Sequence, residues 1–302
     1  AGVTVVSVGA PGSAPVIRIR GISTTNDNSP LYVIDGIQTT DPNVMRDINP
    51  QDIENISVLK DGAAAVYGAR ASNGVIVVTT KRGSYNEKNS FNVSAQYGVS
   101  EVTRYPDMLN VQQHADMTWQ SIINDGNVPT HPQYGSGTKP VIPNFLNVPM
   151  PSGPEYEGAQ AQVTPGGTDW FDAIFDPADV TNVSISASGG SEEGRYYLSA
   201  NYLKQDGVII GNTGFERVGT RLNSDFKIGD KITVSESLSI TYDKEGTVSG
   251  NAIQNAAFSS PLVPVYDTNG NFAGTYSNAA RVGIANNPVA DLISCLLYTS
   301  PS

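Results

Sequence analysis

The chain is poor in the residues that build catalytic and metal centres. Its 302 residues include one cysteine, Cys295, and two histidines, His114 and His131. A single cysteine closes no internal disulfide and makes no thiolate metal site. Two histidines about 17 positions apart, one in a helical stretch and one in a Pro-rich loop, do not make a zinc site. Positive charge is also scarce: 18 Lys+Arg against 29 Asp+Glu give a net charge of −11. This argues against a nucleic-acid binder, which needs a basic face. No apolar run approaches the about 20 residues of a membrane-crossing helix. The first residues lack the basic start and apolar core of a signal peptide, so either the protein is cytosolic or its leader lies upstream. A Gly-rich phosphate loop ending in Lys-Ser or Lys-Thr is missing too. Residues 267–271 lack the spacing and terminal Glu of a calcium loop and read as a β-turn. Asp225, Asp230 and Asp243 have no partner at acid–base spacing. These gaps lead to the expectation of no enzyme, no cofactor and no metal.

What is there is turn-rich β sequence. Gly (30) and Pro (19) make up about 16% of the chain, against an average of about 12%. Over residues 1–83 the pattern is mixed. Short β-branched runs at 16–19, 31–34, 56–59 and 75–80 alternate with turn signals such as Asp35-Gly36 and Lys60-Asp61-Gly62. Asn49 before Pro50 predicts a helix start, and 63–67 a short helix capped by Gly68. The continuous run 75–80 predicts a strand buried on both faces.

From Ser84 onward the period becomes two. Five runs alternate: 91–100, 182–188, 196–202, 217–228 and 231–242. The first, fourth and fifth are 10 residues or longer, which suits a membrane-spanning strand. Aromatics sit near the run ends, as interfacial girdles require. In the fourth and fifth runs Val218, Leu222, Phe226, Ile228, Ile232, Val234, Leu238 and Ile240 fall on the lipid face. Arg217, Arg221, Asn223, Asp225 and Lys227 fall on the inner face. Between the runs, 110–124 has Val111, Ala115 and Trp119 at helical spacing. Residues 127–167 and 246–287 are rich in Pro, Gly and Asn, and loops of that length are usually functional or disordered.

Four stretches carry a family resemblance. Residues 17–21 contain Arg18, Arg20 and Gly21. Residues 30–36 run Pro-Leu-Tyr-Val-Ile into Asp35-Gly36. Residues 48–61 run Ile-Asn-Pro-Gln-Asp-Ile-Glu-Asn-Ile-Ser-Val-Leu into Lys60-Asp61, and residues 65–81 hold Tyr67, Gly68 and Arg70 ahead of the β-branched run. In order and spacing they resemble the plug domain of TonB-dependent outer-membrane transporters, most like the SusC/RagA family of Bacteroidota. Residues 168–175, 188–191 and 196–202 look like that family's early barrel strands.

The resemblance implies an α+β plug domain over 1–83, lacking its N-terminal part, followed by the beginning of a transmembrane antiparallel β-barrel. That barrel is incomplete, with first strands and long extracellular loops over 84–292. Five strands in that span is about 42 residues each, and 22-stranded transporters would need roughly 900. Residues 293–302, with Cys295, break the pattern and are expected to be a non-native tail that makes few contacts. The implied function is import of large nutrients, glycans or oligopeptides, across the bacterial outer membrane. Its implied partners are outer-membrane lipid, the TonB complex acting through a segment upstream of residue 1, and a SusD-like lipoprotein; no nucleic acid is involved. The loop aromatics Trp119, Tyr134, Tyr156, Trp170 and Tyr266 suit stacking on substrate, or else only pack the loops together. Arg18, Arg20, Arg46, Arg70 and Arg82 either pair with lumen carboxylates or are surface charge. A secreted β-rich binding or adhesion protein is the alternative if the alternating face covers a water-soluble core. A glycan hydrolase would need two carboxylates about 5–9.5 Å apart, and no such pair is suggested.

Overall fold

The β-branched runs of the first 83 residues form two small sheets. In the computed structural model, which describes residues 2–7, 9–21, 28–229, 231–246, 251–275 and 282–298, β1 (Val3–Val6) pairs antiparallel with β2 (Val16–Ile19). β3 (Leu31–Ile34) turns through Asp35 and Gly36 into β4 (Ile37–Thr39). Both turn residues have left-handed φ, 49° and 93°, which two-residue hairpins of this kind demand. A four-residue helix, α1 (Val44–Asp47), precedes β5 (Ile53–Leu59) and β6 (Val75–Thr80). The sheet order is β4-β3-β6-β5, with β3 and β6 parallel at its centre. Strands covered on both faces read as continuous apolar runs, and Leu31, Tyr32, Val33, Val75, Ile76 and Val78 are all buried. Alternation sends Tyr32, Ile76 and Val78 into one cluster and Leu31, Val33 and Val75 into the other. The helices expected after Asn49 and over 63–67 are instead 3-10 turns of three residues, Pro50–Asp52, Asp61–Ala63, Ala65–Tyr67 and Ala69–Ala71. Segments that short do not recover the cost of α-helix nucleation.

The period-two runs become long strands. After β7 (Ser90–Ser100) come a tiny hairpin, β8 (Thr130–His131) and β9 (Gly135–Ser136), and then β10 (Ala178–Gly190), β11 (Gly194–Gln205), β12 (Phe215–Ile228) and β13 (Ile232–Glu245). The sheet order β13-β12-β11-β10-β7 is open. The last three pairings are antiparallel and in unbroken register, with Leu198, Leu222 and Leu238 on one rung. The outward side chains Ile185, Leu198, Val218, Phe226, Val234, Leu238 and Ile240 are 46–61% exposed, whereas Arg217, Arg221, Asn223 and Asp225 are at most 7% exposed. Lys227, expected with the last four, is exposed, because it lies at the strand's end where the wall is no longer covered. A water-soluble sandwich buries its apolar face; this wall buries its polar one.

Residues 1–99, 178–207 and 214–246 form one compact unit, and residues 100–177, 208–213 and 247–302 a second. The second is helical and irregular. α2 (Val111–Asn124) begins at an Asn110–Gln113 capping box and buries Val111, Ala115 and Trp119, as the spacing predicts. α3 (Trp170–Ile174) is capped by Asp169, and α4 (Ala252–Phe258) and α5 (Pro288–Tyr298) follow. The Pro- and Gly-rich segments are not featureless: they share a core of Trp119, Tyr134, Trp170, Phe171, Ile174 and Leu262 with α2–α5. Ile293 packs against this core, and the backbone of α5 continues to Tyr298. Of the segment 293–302 expected to make few contacts, only Ile293 has a described side chain, and it packs on this core; the side chains of 294–298 and residues 299–302 lie outside the described residues.

Candidate functional site

Within the first unit, the polar face of the wall receives the N-terminal region along β12. Near the Phe215 end, Arg46 of α1 reaches Asp243 and Glu245, each at 3.2 Å, with its guanidinium 5.7 Å from the Phe215 ring centre. Arg217 donates to the Arg46 carbonyl. Four residues on, Arg221 stands between Asp35 (3.7 Å) and Asp52 (3.9 Å), all three nearly fully buried. Tyr197 Oη donates to Asp52 Oδ1 at 2.9 Å, and Asn49 Nδ2 to Ser184 Oγ at 3.2 Å. Next along the strand, the buried Asn223 donates to Thr80 Oγ1 (2.8 Å) and the Lys81 carbonyl (2.7 Å) and accepts from Ser237 Oγ (2.7 Å). Last, Asp225 accepts from Arg82 (3.2 Å) and Arg195 (2.7 Å).

One strand thus docks α1, two turns and the end of β6 through side chains two or four residues apart, because inner-face positions recur with period two. The seam is made of hydrogen bonds and ion pairs. Such contacts fix geometry more than they stabilise, and water replaces them when the surfaces part. An apolar seam of equal area would resist separation at about 25 cal/mol per Å².

The sequence-derived residues divide clearly. Asp35 enters the seam, anchored by the Thr80 N–H (2.9 Å) and Oγ1 (2.6 Å). Gly36, Lys60, Tyr67 and Gly68 shape turns of the N-terminal region, and Gly21 adjoins Arg20. Arg20 pairs with Asp61 on the surface at 2.6 Å, and Arg18 and Arg70 are exposed. Arg46 and Arg82 pair with wall carboxylates, and Asp225 and Asp243, which had no visible partner in the sequence, receive them. Asp230 lies outside the described residues. Sequence reasoning missed Arg221 as the partner of the N-terminal carboxylates Asp35 and Asp52, Arg217 as a donor to the Arg46 carbonyl and Arg195 as a partner of Asp225; charge at inner positions of an alternating strand was the available signal.

Three of the five loop aromatics are core residues. Trp119, Tyr134 and Trp170 are at most 3% exposed and offer no ring face to a ligand. Trp119 and Trp170 donate to the carbonyls of Gly137 (3.2 Å) and Ser260 (3.0 Å). Tyr134 Oη lies 2.8 Å from His114 Nδ1, and its ring stacks on His131. Burial lowers the pKa of His114 and pushes that of Tyr134 up to about 12. Tyr156 is half-buried in a 3-10 turn. Tyr266 is exposed, packs at 5.3 Å on Phe272, and lines a cavity of about 670 Å³ in the second unit with Gln162, Thr168, Asp169, Asp172 and Asp267. Residues 267–271 form the expected turn, with Asp267 Oδ1 accepting from the Asn269 and Asn271 N–H groups. Among the described residues no cluster of side chains is arranged to hold a metal ion.

Comparisons with known proteins agree with this architecture. The family model described as TonB-dependent Receptor Plug Domain matches residues 1–75. TonB-dependent receptor P26 of Formosa agariphila is 34% identical over 271 residues, covering 88% of this chain and 24% of the relative. TonB-dependent receptor SusC of Bacteroides thetaiotaomicron is 32% identical over 235 residues, covering 74% and 20%. A solved structure of the RagAB peptide transporter matches with a TM-score of 0.71 at 26% identity, covering 96% of this chain and 34% of that one. The chain spans about a quarter of the length of the curated relatives it matches. Family model, relatives, superposition and a polar seam between a small α+β region and an open strand wall all lead to one assignment: the chain is a SusC/RagA-like TonB-dependent receptor over its plug and the first strands of its antiparallel barrel.

Proposed function

We propose that the chain is the plug (residues 1–83) and opening wall and loops (84–292) of a receptor that imports large nutrients across the bacterial outer membrane. The observation that carries this reading is the two-faced wall, whose exposed apolar side suits lipid and whose buried polar side holds the plug. A wide barrel conducts unless filled, and a plug held by polar contacts can shift without exposing an apolar core. The energy comes from the TonB complex pulling on a segment upstream of the plug. A SusD-like lipoprotein closes over the bound nutrient outside. Oligopeptides or glycans are the cargo; the name of the RagAB peptide transporter supports the first class and SusC-type kinship leaves the second open. Tyr266 and its cavity supply loop contacts to the cargo, with Tyr156 near them because the carbonyl of its neighbour Glu155 accepts from the Asn269 and Asn271 side chains. The plug signature residues keep the turns that let the plug dock, and the chain transports rather than catalyses.

The test is deletion of the full-length gene followed by growth on single glycans and on oligopeptides as sole nutrient. The expected result is lost growth on one class, restored by the gene where TonB works and not where it is absent. Unchanged growth on every nutrient, or restoration independent of TonB, contradicts the reading.

A further inference from the structure

The seam contacts described above are mostly isolated side-chain pairs. The segment that joins plug to wall, residues 83–89, is held differently. Tyr85 lies between two cations, with the Arg195 guanidinium 4.9 Å and the Lys227 ammonium 4.0 Å from its ring centre. Arg195 also donates to the Gly83 carbonyl (3.4 Å) and is itself fixed by Asp225. Backbone bonds add to this: the Asn86 N–H donates to the Ser191 carbonyl (3.1 Å) and the Gly190 N–H to the Glu87 carbonyl (3.0 Å). Tyr196 Oη donates to Asn89 Oδ1 at 3.0 Å. The main chains run so close that a Cβ on Gly83 would collide with the Tyr196 carbonyl, and one on Gly190 with the Ser84 carbonyl. The joining segment is therefore laid onto the β10–β11 hairpin through backbone, ring and charge together.

We infer that residues 83–89 are a fixed pivot, with Tyr85 as its positioning residue. Displacement of the plug breaks the pairs made by Arg46, Arg217 and Arg221 and leaves this end on the wall. The plug then swings aside while tethered and does not leave the barrel as a free body. This rests on the transport reading for its purpose but not for its measurement.

The test uses the full-length receptor in liposomes with its native cysteines replaced and spin labels on exposed positions. One label pair, Asn43 and Lys244, spans the α1 end of the seam. The other, Lys88 and Glu192, spans the pivot. Interlabel distances are followed as urea rises. The expected result is that the Asn43–Lys244 distance lengthens first while Lys88–Glu192 holds. Tyr85→Ala should make the two change together, and Tyr85→Phe, which keeps the ring, should restore the order. If Tyr85→Ala does not fold, Lys227→Gln, which removes one exposed cation, should lower the urea at which Lys88–Glu192 changes. Simultaneous change in the wild type, earlier change at Lys88–Glu192, or no effect of either substitution overturns the pivot. No nutrient and no TonB enter the measurement, so failed uptake would sink the transport reading alone, and a mobile Lys88–Glu192 pair would sink the pivot alone.

Discussion

Arg221→Leu removes the one cation that, among the described residues, pairs with both Asp35 and Asp52. In the native seam the guanidinium lies 3.7 Å and 3.9 Å from these carboxylates, and the three side chains are 7%, 5% and 2% exposed. Taking away one partner of a buried pair typically costs 3–5 kcal/mol, because the remaining charge is left without compensation. Both distances are at the long end for an ion pair, so about 3 kcal/mol is expected. At about 1.4 kcal/mol per tenfold, plug amides that open with the seam should exchange more than about 100-fold faster. Thr80 and Lys81 are the ones to follow, since their N–H groups donate to Asp35 Oδ1 and the Asp52 carbonyl, both at 2.9 Å. The assay is residue-level amide exchange on the full-length receptor in micelles. Adding Asp35→Asn and Asp52→Asn to Arg221→Leu discharges the orphaned carboxylates and keeps Asn oxygens for Thr80 and Tyr197. It should recover most of the loss. Exchange accelerated less than about threefold by Arg221→Leu, or a further loss in the triple variant, would refute the electrostatic reasoning.

Leu222→Arg, on the leucine rung midway along β12, should cost about 2–4 kcal/mol of folding free energy in a bilayer, whereas Thr241→Arg on the inner face of β13 should cost much less; equal costs in a refolding titration would contradict the facing. His114 has its pKa lowered by burial from 6.5, so its neutral form is the one the fold accommodates. Stability of the loop unit should be fully present above pH 6.5 and fall as the pH drops below it, which buried Trp119 reports by fluorescence in urea at pH 7.5 and 5.5; pH-independent midpoints would count against it. Trp170→Ala should cost about 3–5 kcal/mol and expose residues 127–167 to limited proteolysis, with the wall strands still protected.

Much of the wall was legible because its physics is local. A strand with lipid on one side and a polar surface on the other must alternate, and 217–228 does so in sequence, so β12 and most of its two faces follow from the residues; burial departs from the phase only at Ser224, which is buried, and Lys227, which is exposed. The same holds for β3 and β6, whose unbroken apolar runs reflect cover on both sides. Alternation could not show which inner residue meets which plug residue. Asn223 illustrates the limit: by pattern it is a tolerant inner position, yet three hydrogen bonds to Thr80, Lys81 and Ser237 make it one of the tightest sites in the seam. The loop unit was least legible. Its core gathers Trp119, Tyr134, Trp170 and Leu262 from segments spread over more than a hundred residues, and no period links them. Isolated aromatics in Pro- and Gly-rich sequence therefore left ligand contact and loop packing both open, and of the five Tyr266 alone is exposed.

The facing of β12 tests the whole reading most directly. Spin labels placed singly at 217–228 in the full-length receptor in liposomes report collision with oxygen, which concentrates in lipid, and with a water-soluble nickel chelate. Oxygen accessibility should alternate with period two, high at 218, 220, 222, 226 and 228 and low at 217, 221, 223 and 225, where the plug covers the wall. Alternation in the opposite phase, or uniform access to the nickel chelate, would mean that the apolar face does not meet lipid and that this is not the wall of a plugged barrel.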